Sequence, residues 1–425
     1  MKILQTIAAS SLSLVGCSGI LSYEGPLPSL PPSPAPPAVS CRYATAATAS
    51  SSADLSGTNV MSVNVGSGAL CGTRDNFPCT SVTICPVGSS TGCQTISDIL
   101  VDTGSFGLRI FVQALNPTFC ETLQQVTDDS GNAVAECAMF GSFNVWGSVL
   151  AANVQLGGEA PVKASIHLID KNFATVPTAC AQVGTSPQSA GYNGILGVGL
   201  KQSDCGTTCE TVATNNMYYN CTRAGTCTGT ALKMIDQVTN PVALLPVDNN
   251  GVLLDLPSVP GLGSPSVTGS LYLGIGTRTN NAVGSATVYT ANSLNEFQTV
   301  AFSQTYGKSF IDSGSNTLSI PTNSGLATCT GGLAAFYCPT GAPLSLTAST
   351  TGLPSGNTGT VSYSLANAQG YPAGNHVFGN LGSVMSFGLG DTAWIWGLPF
   401  FLGRRVFVGI QGKSSVLGMG PYWGY

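Results

Sequence analysis

A chain of 425 residues, 43% hydrophobic and only 8% charged, has enough apolar material for a large core and is not globally disordered. Net charge is -5 and the 14 Lys and Arg residues form no run, which argues against nucleic acid as a partner. The surface is left mostly to Ser, Thr, Asn, Gln and Gly, and the 53 Gly and 25 Pro punctuate short apolar runs. With few helix-period stretches, this pattern predicts an all-β fold.

The chain opens with one Lys, an apolar stretch, and then Leu14-Val15-Gly16-Cys17. The apolar stretch is too short to span a bilayer and reads as a targeting segment. It resembles a bacterial lipoprotein signal, in which cleavage before Cys17 leaves that residue to be lipidated. The alternative is an ordinary secretory signal with a chance Cys. Ser18, where an Asp would favour inner-membrane retention, points to an outer-membrane lipoprotein facing the periplasm or the cell surface. Membrane contact is then expected through the lipid anchor only. Residues 18–40 are Pro-rich and nearly uncharged, a semi-rigid tether of at most about 70 Å at roughly 3.1 Å per residue. The folded part is expected to start near Cys41.

Of the 15 Cys, setting Cys17 aside leaves an even number, as expected of an exported chain with disulfides. Sequence neighbours are Cys120 and Cys137, Cys205 and Cys209, Cys221 and Cys227, and Cys329 and Cys338, but connectivity does not follow from sequence. The rival reading is zinc on Cys205, Cys209, Cys221 and Cys227, whose spacings do not follow a paired C-x-x-C ribbon. No metal and no cofactor is expected. Residues 71–93 and 205–227 read as disulfide-stapled loops.

One motif occurs twice. Residues 99–110 read ILVDTGSFGLRI and residues 309–321 read SFIDSGSNTLSIP. Each copy is an apolar strand ending in Asp, then a small hydroxyl residue, Gly and Ser. Each is followed at a distance by an apolar segment with Gly, YNGILGVGL at 192–200 and AWIWGLPFF at 393–401. The repeat predicts two similar lobes, 41–240 and 241–425, divided near Asn240 before the strand-like PVALLPVD. VDNNG at 247–251 reads as a turn joining two strands rather than as a calcium loop.

The chemistry follows from the residue types. Two loops that set Asp102 and Asp312 side by side form a pair that cannot doubly ionise, so it shares one proton. The ionised member takes a proton from water and the protonated one hydrogen-bonds a substrate carbonyl. Gly104 and Gly314 allow close approach and leave backbone N–H groups free to point at the carboxylates. Ser105 and Ser315 can donate to the outer carboxylate oxygens. Thr103 and Ser313 can bond across to the opposite loop. The two His residues offer less: His167 alternates with apolar residues on a strand, packed or at the surface, and His376 sits in a loop. The lone G-x-S-x-G, GSSTG at 88–92, lies inside a Cys-rich segment rather than on a nucleophile elbow.

With all four landmarks in order, residues 55–425 resemble the pepsin-like aspartic peptidases, and within them a bacterial exported family with this Cys-rich DTGS…DSGS plan. The resemblance implies a bilobal double β-barrel with an interlobe cleft that takes a polypeptide in a monomeric enzyme. It also implies a hairpin flap over the cleft, best aligned with CAMFGSFNVWGSVLAANVQLGG. Here the sequence departs from the family. Phe140 stands where the flap Tyr is expected, and Arg109 stands where its Trp partner is expected. Residues 18–40 are also too short and too poor in Lys and Arg to be the family's basic pro-segment. Two functions follow as expectations: an anchored aspartic endopeptidase, or a catalytically silent scaffold binding peptide, glycan or protein at the cell envelope.

Overall fold

The computed structural model describes Cys41 and residues 57–141, 143–181, 183–184, 186–341, 343–385 and 390–425. Cys17, the signal segment and the tether lie outside the described residues. What is described is all-β: one sheet of sixteen strands, one of seven, and a two-stranded ribbon. The helices among the described residues are single turns of three to five residues. None of them is long and apolar enough to cross a membrane.

The larger sheet draws on both halves of the sequence. Val60–Val65 pairs antiparallel with Val267–Leu273, from Val60 opposite Tyr272 to Val65 opposite Val267. Beyond that seam the sheet continues through Gly251–Asp255, Arg405–Gly409 and Tyr422–Gly424. The seven-stranded sheet is built only from strands between Phe297 and Trp396. The strands after residue 241 are therefore divided between these two sheets and the small ribbon.

The duplicated motif builds the same local arrangement in each sheet. Gln94–Asp102 runs parallel to Gly194–Val198, with Asp102 opposite Gly197. Gly194–Val198 in turn pairs antiparallel with Phe106–Phe111, the strand that leaves the first loop. In the second sheet Gln304–Ile311 runs parallel to Ala393–Trp396, with Ile311 opposite Trp396. That strand pairs antiparallel with Leu318–Ile320, which leaves the second loop. Each Asp thus emerges at the carboxyl end of a central strand. The ends of these strands next to each Asp, and the strands parallel to them, are largely buried, which is why they read as apolar: Ile99 and Val101 are fully buried, as are Ile311, Trp394 and Trp396. Both apolar-Gly segments press against the loop they support. A Cβ on Gly199 would meet the Thr103 carbonyl oxygen at 2.7 Å, and one on Gly397 would meet that of Thr317 at 2.0 Å.

Several expectations are corrected. PVALLPVD is not a strand: Pro241–Leu244 is a 3-10 turn with Pro at its first position, and the Asn240 side chain accepts the Val242 N–H at 3.1 Å. VDNNG therefore joins a helical turn, not a strand, to Gly251–Asp255. Residues 71–93 are more than a loop, since the strand Pro78–Cys85 runs through them, and residues 205–227 hold the helix Thr207–Thr211 and the strand Tyr218–Cys221.

The cysteines other than Cys17 pair completely. Three of the expected neighbour pairs are bridged, Cys205–Cys209, Cys221–Cys227 and Cys329–Cys338. Cys120 and Cys137 are not partners: Cys120 bonds Cys41 and Cys137 bonds Cys180. Cys71–Cys79 and Cys85–Cys93 complete the set. The four cysteines of the zinc reading are thus consumed in disulfides, and the seven bridges together belong to an oxidising compartment.

Candidate active site

Asp102 and Asp312 are held in two loops that mirror each other bond for bond. Gly104 N–H donates to Asp102 Oδ1 at 2.8 Å and Ser105 Oγ donates to its Oδ2 at 2.5 Å. Gly314 N–H donates to Asp312 Oδ1 at 2.8 Å and Ser315 Oγ to its Oδ2 at 2.7 Å. Each carboxylate spends one oxygen on its own glycine and the other on its own serine.

The loops are also bonded to each other. Thr103 Oγ1 donates to the Ile311 carbonyl at 3.1 Å and accepts the Ser313 N–H at 3.0 Å. Ser313 Oγ donates to the Val101 carbonyl at 2.7 Å and accepts the Thr103 N–H at 3.1 Å. Both side chains are buried. This lattice brings each carboxylate against the other loop's glycine: a Cβ on Gly104 would lie 2.7 Å from Asp312 Cγ, and one on Gly314 would lie 2.8 Å from Asp102 Cγ. Only glycine fits at either position. Burial first, then the neighbouring charge of Asp102 and a hydrogen bond with it, raise the Asp312 carboxyl well above the usual range. At this separation the two carboxyls cannot both ionise freely, so the pair holds one proton between them. The Thr, Ser and Gly residues of the two motifs make the bonds and close approaches their types suggested.

The two carboxylates open into a cleft of about 720 Å³. Its walls include Phe77, Leu100, Phe111, Phe140, Tyr192 and Ile195. The expected flap is a hairpin, Ala133–Met139 with Asn144–Gln155, and Phe140 lines the cleft at its tip. Phe140 stacks on Phe143, ring centres 5.1 Å apart. The strand Ala133–Met139 of the hairpin is braced twice, by Tyr218–Cys221 paired along Ala133–Glu136 and by the disulfide Cys137–Cys180.

Arg109 is the centre of a buried network. Its Nη1 donates to the Phe106 carbonyl at 2.7 Å, and its Nη2 donates to Glu136 Oε1 at 2.6 Å and to Asp204 Oδ2 at 2.9 Å. Tyr218 Oη donates to Asp204 Oδ1 at 2.6 Å and accepts the Val238 N–H at 2.8 Å. His167 is not a surface residue: it is fully buried, with Nδ1 2.7 Å from Glu136 Oε2. Burial works to raise Glu136, but the Arg109 charge and then His167 outweigh it and hold Glu136 well below the usual range. Burial and the adjacent Glu136 charge push Asp204 well above its own. Burial also lowers His167. The network thus buries one guanidinium against two carboxyl groups, one held low and one pushed high, with a phenol and an imidazole completing it.

Sequence reasoning singled out Arg109 but not its partners. The available signal was Glu136, the one charged residue in the apolar run AVAECAM. Asp204 and Tyr218 carry no local mark, because only the fold brings them to Arg109. His376 lies in a loop as expected, its Nδ1 2.9 Å from Asp75 Oδ1, away from the two carboxylates' own bonds. Among the described residues no cluster of His, Cys, Asp and Glu is arranged to hold a metal ion.

No curated protein matches the chain. Residues 56–425 match the profile of DUF3443, described as a protein of unknown function, and the chain belongs to that family.

Proposed function

We propose that this chain is an aspartic endopeptidase with a pepsin-like, bilobal double-barrel architecture, held at the bacterial envelope by lipid on Cys17. The single observation that carries the reading is the reciprocal pair of loops. Two carboxylates, each with its own Gly N–H and Ser hydroxyl, are locked together by Thr103 and Ser313 and face an apolar cleft. A merely structural pair of acids at this burial would be costly without a compensating cation, and none bonds either carboxylate among the contacts described here.

In this reading the pair shares one proton, carried by Asp312 before water attacks. Asp102, ionised, takes a proton from a water as that water's oxygen attacks the scissile carbonyl carbon. Asp312 gives its proton to the carbonyl oxygen, so the tetrahedral species is a neutral diol and no covalent enzyme intermediate forms. Collapse breaks the C–N bond: one diol proton returns to Asp312, and the amine leaves with the proton held by Asp102. The serines and glycines hold the carboxylates through both half-reactions, which is preorganisation rather than chemistry.

One observation favours the second reading, a silent scaffold that binds peptide, glycan or protein: the flap tip carries Phe140, with no hydroxyl to offer the cleft. The two readings part on Asp102→Asn. The amide has the shape of the carboxylate but cannot act as a base, so cleavage of an unfolded polypeptide should fall at least about 10²–10⁴-fold while the protein stays folded. A peptide mimic with a hydroxyl at the attack position should bind the wild type more tightly than the variant. Wild type that cleaves nothing across a wide pH range and ignores the mimic would leave the scaffold.

A further inference from the structure

The loop closed by Cys71–Cys79 contains Asn76, which is fully buried at a backbone φ of +58°. Asn tolerates this left-handed conformation better than most residues. Its side chain behaves like a piece of strand. Nδ2 donates to the Phe378 carbonyl at 3.0 Å, while Oδ1 accepts the Phe378 N–H at 2.8 Å. Nδ2 also donates to the carbonyl of Asn316 at 2.8 Å, and the Asn76 N–H donates to the His376 carbonyl at 2.8 Å. Asn316 lies four residues beyond Asp312 and lines the cleft.

The other side of the same loop is tied to the first carboxylate. Asp98, four residues before Asp102 on the same strand, accepts the Cys71 N–H at 3.2 Å through Oδ1. Arg74 Nη2 donates to the Ser189 carbonyl at 2.8 Å. Phe77 enters the cleft wall with its ring centre 6.0 Å from that of Tyr192. One short, disulfide-closed loop therefore bears on the strand of Asp102, on the cleft wall, and on the segment leaving Asp312.

We propose that Asn76 is a positioning residue that sets the second carboxylate loop against the first. This rests on the reading of Asp102 and Asp312 as a working pair. Asn76 touches neither carboxylate and acts through the Asn316 backbone. Its bonds span 240 and 302 residues of sequence, so they add a cross-link between the motif regions independent of Thr103 and Ser313. The amide is required in full. Asp keeps the acceptor but turns the donor into a charge facing two carbonyls; Gly keeps the backbone conformation and removes the clamp.

The test uses the purified full chain with Asn76→Gly and Asn76→Asp. Two readouts are taken: kcat and KM on an unfolded polypeptide, and the titration of the Asp312 carboxyl by carbon NMR, assigned with Asp312→Asn. The charged group facing Asp312 is Asp102, and its other partners are Gly314 N–H and Ser315 Oγ. Displacing the second loop should lower kcat on the order of 10²-fold with little change in KM, and should bring the Asp312 midpoint down. Folded variants with wild-type kcat and an unchanged midpoint would overturn the proposal. If wild type cleaves nothing, the peptidase reading fails by itself, and the Asp312 midpoint still decides on Asn76. If neither variant folds, hydrogen exchange on wild type decides. The Phe378 amide should exchange as slowly as the core strands; exchange as fast as an open loop refutes the clamp.

Discussion

The guanidinium of Arg109 stands 5.8 Å from the ring centre of Phe140, joining the strand behind the first carboxylate to the tip of the flap. A cation over a ring face contributes about 0.5–2 kcal/mol, depending on desolvation. The same guanidinium is committed to Glu136 on the flap's own strand. Flap and loop are thus coupled through one side chain.

Replacing Arg109 by Met should leave the Glu136 carboxylate buried without a cation. Removing one partner of a fully buried pair costs about 3–5 kcal/mol, to be read as a lower urea midpoint at unchanged slope. Arg109→Met with Glu136→Gln should recover part of that loss, since the stranded charge is gone. If the single substitution costs less than about 1 kcal/mol, within the range of exposed ion pairs, the account of Arg109 and Glu136 as a buried ion pair is wrong.

Asp312 makes stability depend on pH in a definite direction. Unfolded, its carboxyl titrates at about 3.9; folded, burial and then Asp102 raise it well above that. Below the unfolded value both states are protonated and no penalty exists. As pH rises above it, the unfolded chain releases the proton while the folded chain keeps it, so this residue's contribution falls until pH passes the folded value. In Asp312→Asn that decline should vanish. The variant's stability relative to wild type should therefore climb from pH 4 upward in urea titrations. Parallel curves for the two proteins would contradict a raised Asp312 carboxyl.

Thr103 and Ser313 exchange four hydrogen bonds across the loops. Thr103→Val strands the Ser313 N–H, and Ser313→Ala strands the Thr103 N–H, each at a cost of about 1–3 kcal/mol. Because they serve one lattice, the double variant should fall short of the sum, with a coupling energy of about 0.5–3 kcal/mol. Strict additivity in a double-mutant cycle would mean the loops are held elsewhere.

Much of the site was legible in the chain because its elements are local. An apolar run ending in Asp, with a hydroxyl residue, Gly and Ser directly behind, specifies a strand end and the bonds of its own carboxylate within four residues. The all-β class followed from the spacing of Gly, Asn and Ser for the same reason. What pairs with what was not legible. Nothing near Cys120 announces Cys41, nothing near Arg109 announces Asp204 or Tyr218, and nothing near Asn316 announces Asn76. PVALLPVD reads as a strand by composition, yet Asn240 and Pro241 start a helical turn there. Those choices belong to the tertiary structure. A buried donor, acceptor or charge is satisfied by whichever group the fold brings within about 3 Å, however far away it lies in the sequence.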